Sequence, residues 1–167
     1  MDERSGYQST KEEMTNHEFK SIIEGAFTSN GFKRVDKNAR FDGAAAVILI
    51  GLQKLEYDEQ FFINVGFWLR ALSDQVPRKV EHTHMYFRLE RLFPPRREAV
   101  LDGGCLSLPE QPQAATKLSA IISQECIPVL VKLANSEAAL RQRFSQGGFS
   151  GGLIRKEARA ALAAATP

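Results

Sequence analysis

The strongest constraint in this sequence is a period of two. From residue 61 to 69, Phe61, Ile63, Val65, Phe67 and Leu69 alternate with Phe62, Asn64, Gly66 and Trp68. Side chains on an extended strand point to opposite faces in turn, so this stretch predicts a strand with one apolar and one mixed face. Residues 80–93 alternate again after the interruption at Pro77, Arg78 and Lys79. Met85, Phe87 and Leu89 lie on one face, and His82, His84, Tyr86, Arg88 and Glu90 on the other. Upstream, residues 32–35, 39–41 and 44–52 read as further strands, the last a nearly continuous apolar run through Val47, Ile48, Leu49 and Ile50. The connections are short and rich in Asp, Asn, Gly and Lys, as in hairpins, and are too short for helical crossovers. The expectation is an α+β fold whose antiparallel meander of four to five strands is packed by an N-terminal helix and by C-terminal helices.

The helices announce themselves by a different period. Phe19, Ile22, Ile23, Ala26 and Phe27 form one stripe at 3.6-residue spacing, with Thr15 or Asn16 to cap it and Asn30-Gly31 to end it. After a Gly- and Pro-punctuated stretch read as mostly loop (93–113), Leu118, Ile121, Ile122 and Cys126 share a helical face. Pro128 then either kinks that helix or opens the next one, and Asn135-Ser136 can cap another. The resulting division is an acidic, disordered leader (1–14), one α+β domain (15–146), a flexible Gly-rich linker (147–152) and an Ala-rich tail (153–167).

Composition narrows the function classes. At 167 residues the chain is long enough for one real core, and its 43% hydrophobic and 25% charged residues are ordinary for a folded domain. No apolar run approaches 18 residues, and the start is polar and acidic, so a cytoplasmic protein with no membrane partner is expected. Two cysteines, Cys105 and Cys126, without a CxxC spacing read as reduced thiols. The net charge is +2 but unevenly spread. Residues 1–18 carry five acids against two bases. Residues 78–97 carry Arg78, Lys79, Arg88, Arg91, Arg96 and Arg97 against Glu81 and Glu90. Such a basic segment can bind phosphates or steer an acidic partner, or can simply blunt a sheet edge.

Chemistry-bearing residues are sparse. His82 and His84, two apart on a strand, would point the same way, but a zinc site needs a third ligand, and Glu90 is roughly 20 Å further along. No metal or cofactor is therefore expected. No phosphate loop, nucleophile elbow or catalytic cysteine signature is present, so no catalytic residue is assigned. The candidate binding residues are Asn64, Trp68, His82, His84, Tyr86, Arg88 and Glu90. An aromatic surface interleaved with arginine suits both protein-interface anchors and base-stacking platforms.

Gly51-Leu52-Gln53-Lys54, followed by Phe61-Phe62-Ile63-Asn64-Val65-Gly66, resembles the bacterial family called domain of unknown function 4304. So do the Gly31-Phe32-Lys33 turn and the Arg88-Leu89-Glu90-Arg91-Leu92 segment. The resemblance runs from Glu18 to Phe144 and implies no catalytic residues. By analogy with small α+β domains of toxin–immunity systems, the expected function is non-enzymatic protein binding, as an immunity protein that neutralises a toxin by direct contact. The alternative is nucleic-acid or phosphate-ligand binding through residues 78–97. A third reading is an enzyme with a site assembled around His84, Arg88 and Glu90. A nuclease inhibitor would normally carry negative charge, and +2 supplies none overall. The partner of such a protein is then either met by the acidic leader or helix, or is not strongly basic.

Overall fold

The computed structural model describes residues 14–164; the acidic leader, apart from Met14, lies outside them, as do the last three residues of the tail. The period-two segments do form an antiparallel meander. Strands β1 (Lys33–Val35), β2 (Asn38–Asp42), β3 (Ala46–Lys54), β4 (Phe61–Leu69) and β5 (Met85–Arg88) lie side by side in chain order. A sixth, β6 (Leu153–Ile154), pairs antiparallel to the free side of β5. β3 and β4 pair along nine residues each, with Leu49 opposite Gly66 and Gly51 opposite Asn64.

The apolar parity of the strands fills one face. Ala46, Ile48 and Ile50 from β3, and Phe61, Ile63, Val65, Phe67 and Leu69 from β4, are buried on the helical side. Against them packs α1 (Asn16–Thr28), whose Thr15 hydroxyl accepts from the Glu18 N–H at 3.1 Å, a cap that contributes about 1 kcal/mol. Phe19 of this helix stacks on Phe61 with ring centres 4.8 Å apart. α4 (Gln111–Ile121), one π-helical turn (Ile122–Cys126) and α5 (Ile127–Asn135) run on as one helical stretch. The widened turn lies just ahead of Pro128, which has no N–H to donate and whose ring would crowd the preceding turn of a regular α-helix. By length and composition this stretch passes for a membrane span. Its apolar side is taken up by the core instead: Leu118, Ile122, Cys126 and Leu130 are fully buried. α6 (Glu137–Ser145) follows, with the Ser136 hydroxyl capping its Ala139 N–H.

Three segments depart from the sequence reading. The strand expected over 80–93 is extended along only four residues. Val80–His82 is a 3-10 turn, and the chain leaves β5 into a short helix, α2 (Leu89–Leu92). The stretch read as loop contains a further 3-10 turn and α3 (Arg97–Gly103). The glycines at 147–152 do not make a free linker. Phe149 among them is 1% exposed and sits against Phe67 and Phe87, with ring centres 5.6 and 5.5 Å away. A Cβ on Gly152 would strike the Phe87 ring, so glycine there lets the chain pass close enough to lay β6 beside β5. α7 (Lys156–Ala163) then buries Ala158 and Leu162 beside α6. The Ala-rich tail, up to residue 164, thus belongs to the fold.

Candidate functional site

The opposite parity of the same strands makes the outer face, and among the described residues no α-helix covers it. Part of it is shielded by the segment joining β4 to β5. Val47, Leu49 and Val80 form a small second cluster there, with Trp68, Val76 and Tyr86 at its margin. Gly66 is what lets this segment sit down. A Cβ at that position would collide with the Thr83 hydroxyl and come within 2.9 Å of the Val80 carbonyl. Thr83 in turn donates to the carbonyl of Val80 (2.6 Å) or of Met85 (2.9 Å), closing the turn that interrupts the expected strand. Asn38 Nδ2 donates to the Arg78 carbonyl at 2.7 Å, and Arg78 pairs with Asp36 at 3.3 Å. The segment is thereby tied to the β1–β2 turn, where Asp36 holds a left-handed φ of 54°.

Between these ties the sheet lies open in a hollow of about 810 Å³. Gly51, without a side chain, lets Val80 approach the strand: a Cβ there would lie 2.9 Å from Val80 Cγ2. Gln53 and Asn64 line the hollow beside Gly51, Lys79 and Glu81 stand on one wall, and Lys37 stands on another. Asn64 is 7% exposed, and its Nδ2 donates to Gln53 Oε1 at 3.0 Å while its Oδ1 has no hydrogen-bond partner. Reversing both amides would leave the nitrogen unpaired instead, so the pair is one partner short in either orientation. Arg88, opposite Asn64 on β5, spreads its guanidinium over the Phe62 ring at 3.7 Å. Tyr86 completes the wall. Burial, and then the nearby Glu81 carboxylate, push its phenol above the ordinary value.

The remaining candidates do not join this group. His82 is exposed in the 3-10 turn, whereas His84 is 4% exposed, so the paired-imidazole face expected from a strand does not form. His84 stacks on Trp68 (3.7 Å between ring centres), and its Nδ1 accepts the Leu69 N–H at 2.9 Å. Burial first, and then the Arg155 charge, lower its pKa, against a raising effect of Glu157. Trp68 donates its indole N–H to the Ser73 carbonyl at 2.8 Å, so one ring face and the N–H are both engaged. Glu90 is carried off the strand onto α2, where it is 4% exposed with Oε2 unpartnered. His84, Arg88 and Glu90 therefore do not converge. Among the described residues no three His, Cys, Asp or Glu side chains gather where they could hold a metal ion. Both thiols are free, and burial pushes that of Cys126 up to about 12, which keeps it protonated and unreactive near neutral pH.

The basic segment is dispersed by the same geometry. Arg78 is tied to Asp36, Arg88 lies over Phe62, and Arg96 pairs with Glu125 in the helical layer at 2.9 Å. Sequence reasoning found Asn64, Tyr86 and Arg88 but missed Lys37, Gly51, Gln53 and Glu81. The available signal was an isolated glycine in each of two adjacent strands, a mark of close backbone approach. Their placement opposite or next to one another is a matter of register.

What fold and site define together is an α+β domain with a helix-covered antiparallel meander whose other face holds an open polar hollow. Residues 23–132, two thirds of the chain, match the family model described as Domain of unknown function (DUF4304), and the chain belongs to that family. The hollow lies inside the matched span; α6, β6 and α7 lie beyond it. No curated protein and no solved structure matches the chain. The family's description assigns no activity, and no enzymatic role is shown.

Proposed function

We propose that this chain is a non-enzymatic protein-binding domain that receives its partner on the outer face of the sheet, around the hollow, in the manner of an immunity protein that blocks a toxin by direct contact. One observation carries the reading. Asn64 is a buried polar side chain left one hydrogen bond short on the sheet face that no α-helix of the described residues covers. An unsatisfied buried polar atom costs about 1–3 kcal/mol, which an occupant carrying the complementary group recovers once the Asn64 amide, now sealed from solvent, turns toward it. The toxin as partner is an analogy with other small α+β domains and rests on no residue of this chain.

The nucleic-acid alternative loses support on two counts. A backbone-tracking groove needs cations in a row, and those of residues 78–97 go to separate places. A stacking platform needs a bare ring, and Trp68 is already covered by His84. The enzyme reading loses its constellation because His84, Arg88 and Glu90 stand apart.

The test is capture of a partner by the full chain from its native cell, with binding then measured on the purified pair. Gln53 is exposed, so Gln53→Trp fills the hollow without touching the core. At least a tenfold loss of affinity is expected, with no loss for Arg97→Ala on α3. Failure to recover any stable protein partner, or full binding by Gln53→Trp, rejects the proposal.

A further inference from the structure

Resting on that protein-binding reading, we infer that the hollow is built to receive an acidic segment of the partner, with a carboxylate placed between Lys37 and Lys79 and a neighbouring N–H or O–H meeting Asn64. The charges around the hollow carry the argument. Asp36 and Arg78 neutralise one another across 3.3 Å. Lys37 and Lys79 form no ion pair with any carboxylate of the described residues. Glu81 is the one free carboxylate of the wall, beside Tyr86. Two unmatched lysines against one carboxylate leave a local excess of positive charge around a concave place, where field lines concentrate.

The floor adds direction to that charge. A carboxylate only accepts hydrogen bonds, and Lys37 and Lys79 only donate them. Asn64 needs one more partner, and with Gln53 it can serve a peptide amide in either orientation. A polypeptide with an acidic side chain and a backbone N–H offers both chemistries within a few ångströms. Glu81, which would repel a phosphate backbone running across the wall, is compatible with a peptide that turns away from it. An acidic partner also removes the conflict raised by the net charge, since this chain then has no need of a negative surface.

The experiment uses the full chain and an acetylated, amidated decapeptide of alternating Glu and Gly. The controls are the matching Gln–Gly peptide, inorganic phosphate and a ten-nucleotide oligothymidylate. Binding is followed by amide-resolved NMR and by Trp68 fluorescence, Trp68 being the sole tryptophan and a neighbour of Tyr86 and Val80 in the outer cluster. The Glu peptide is expected to shift the side-chain amide signals of Asn64 and Gln53 and to bind at least tenfold more weakly at 500 mM than at 50 mM salt. Lys37→Glu with Lys79→Glu should abolish the shifts. Lys37→Gln with Lys79→Gln should weaken them, and thermal melts of both double variants should match the parent, because both lysines are exposed. Equal binding of the Gln peptide overturns the inference, as does binding of oligothymidylate or phosphate without binding of the Glu peptide. Binding that emerges only once Glu12 and Glu13 are replaced by Gln assigns the hollow to the chain's own leader and overturns it too. If a captured protein partner still holds the charge-reversed variant, the acidic-segment inference fails while the protein-binding reading stands. If no partner is captured, that reading fails first.

Discussion

The two faces of the sheet are made by the same strands and serve opposite ends. On the inner face, Phe61, Ile63, Val65, Phe67 and Leu69 belong with the helices and Phe149 to one continuous core. On the outer face the same strand presents Phe62, Asn64, Gly66 and Trp68 to a short connecting segment and an open hollow. Two hydrophobic clusters of very different size result. The difference teaches that burial on one side is enough to hold a six-stranded meander. The other side is thereby free to keep a polar group unpaired beside an open hollow, which a core could not tolerate.

The sharpest way to break this comparison is to attack each face in turn. Phe67→Ala removes a fully buried ring between Phe87 and Phe149 and should cost about 3–5 kcal/mol in urea unfolding. A loss under 1 kcal/mol would mean that the inner face does not carry the stability. Gly66→Val drives a side chain into Thr83 and Val80 and should cost less, about 1–3 kcal/mol. Its damage should be local: hydrogen exchange should quicken at residues 80–84 while the amides of α1 and α4 keep their protection. Uniform loss of protection would show the two faces to be one cooperative unit.

A smaller effect is expected from pH. The His84 pKa is depressed below its ordinary 6.5 by burial and then by the Arg155 charge, against a raising effect of Glu157. The unfolded chain therefore takes up the proton first, and stability falls as pH drops below about 6.5 while remaining complete above it. Melting temperatures from pH 7.5 to 5 should decline, and His84→Gln, which keeps an acceptor but cannot titrate, should flatten that decline. The smallest change is expected for Asn64→Ala. Losing the bond to Gln53 costs about 1 kcal/mol, and removing the unsatisfied oxygen returns a similar amount, so stability should stay within about 1 kcal/mol of the parent. Partner binding should fall by far more than stability does. A large loss of stability instead would make Asn64 a structural residue and not a recognition residue.

Much of this was legible in the residues themselves. The alternation of 61–69 states a strand with its faces already sorted, and the stripe from Phe19 to Phe27 states a helix, because a period of two or of 3.6 is a local property of the chain. The resemblance to the family was likewise carried by short local strings, and the matched span confirms it. Asn64, Tyr86 and Arg88 could be named in advance because they fall on the polar parity of those strands. The alternation of 80–93 misled because Thr83 can satisfy backbone carbonyls by its own hydroxyl and Gly66 leaves it room to do so. That competition is invisible until both strands are in register. His82 and His84 were separated for the same reason.

Phe149 shows the limit most plainly. Six glycine-rich residues look like a hinge in any window of sequence, and only the gap beside Phe67 and Phe87 turns one of them into core. Local periodicity, turn residues and parity depend on neighbours in the chain, so the amino-acid order alone determined the meander, the first helix and the polar side of the central strands. The hollow, the unmatched cations around it and the stacking of Trp68 on His84 depend on distances between residues tens of positions apart, and those distances exist only once the chain has folded.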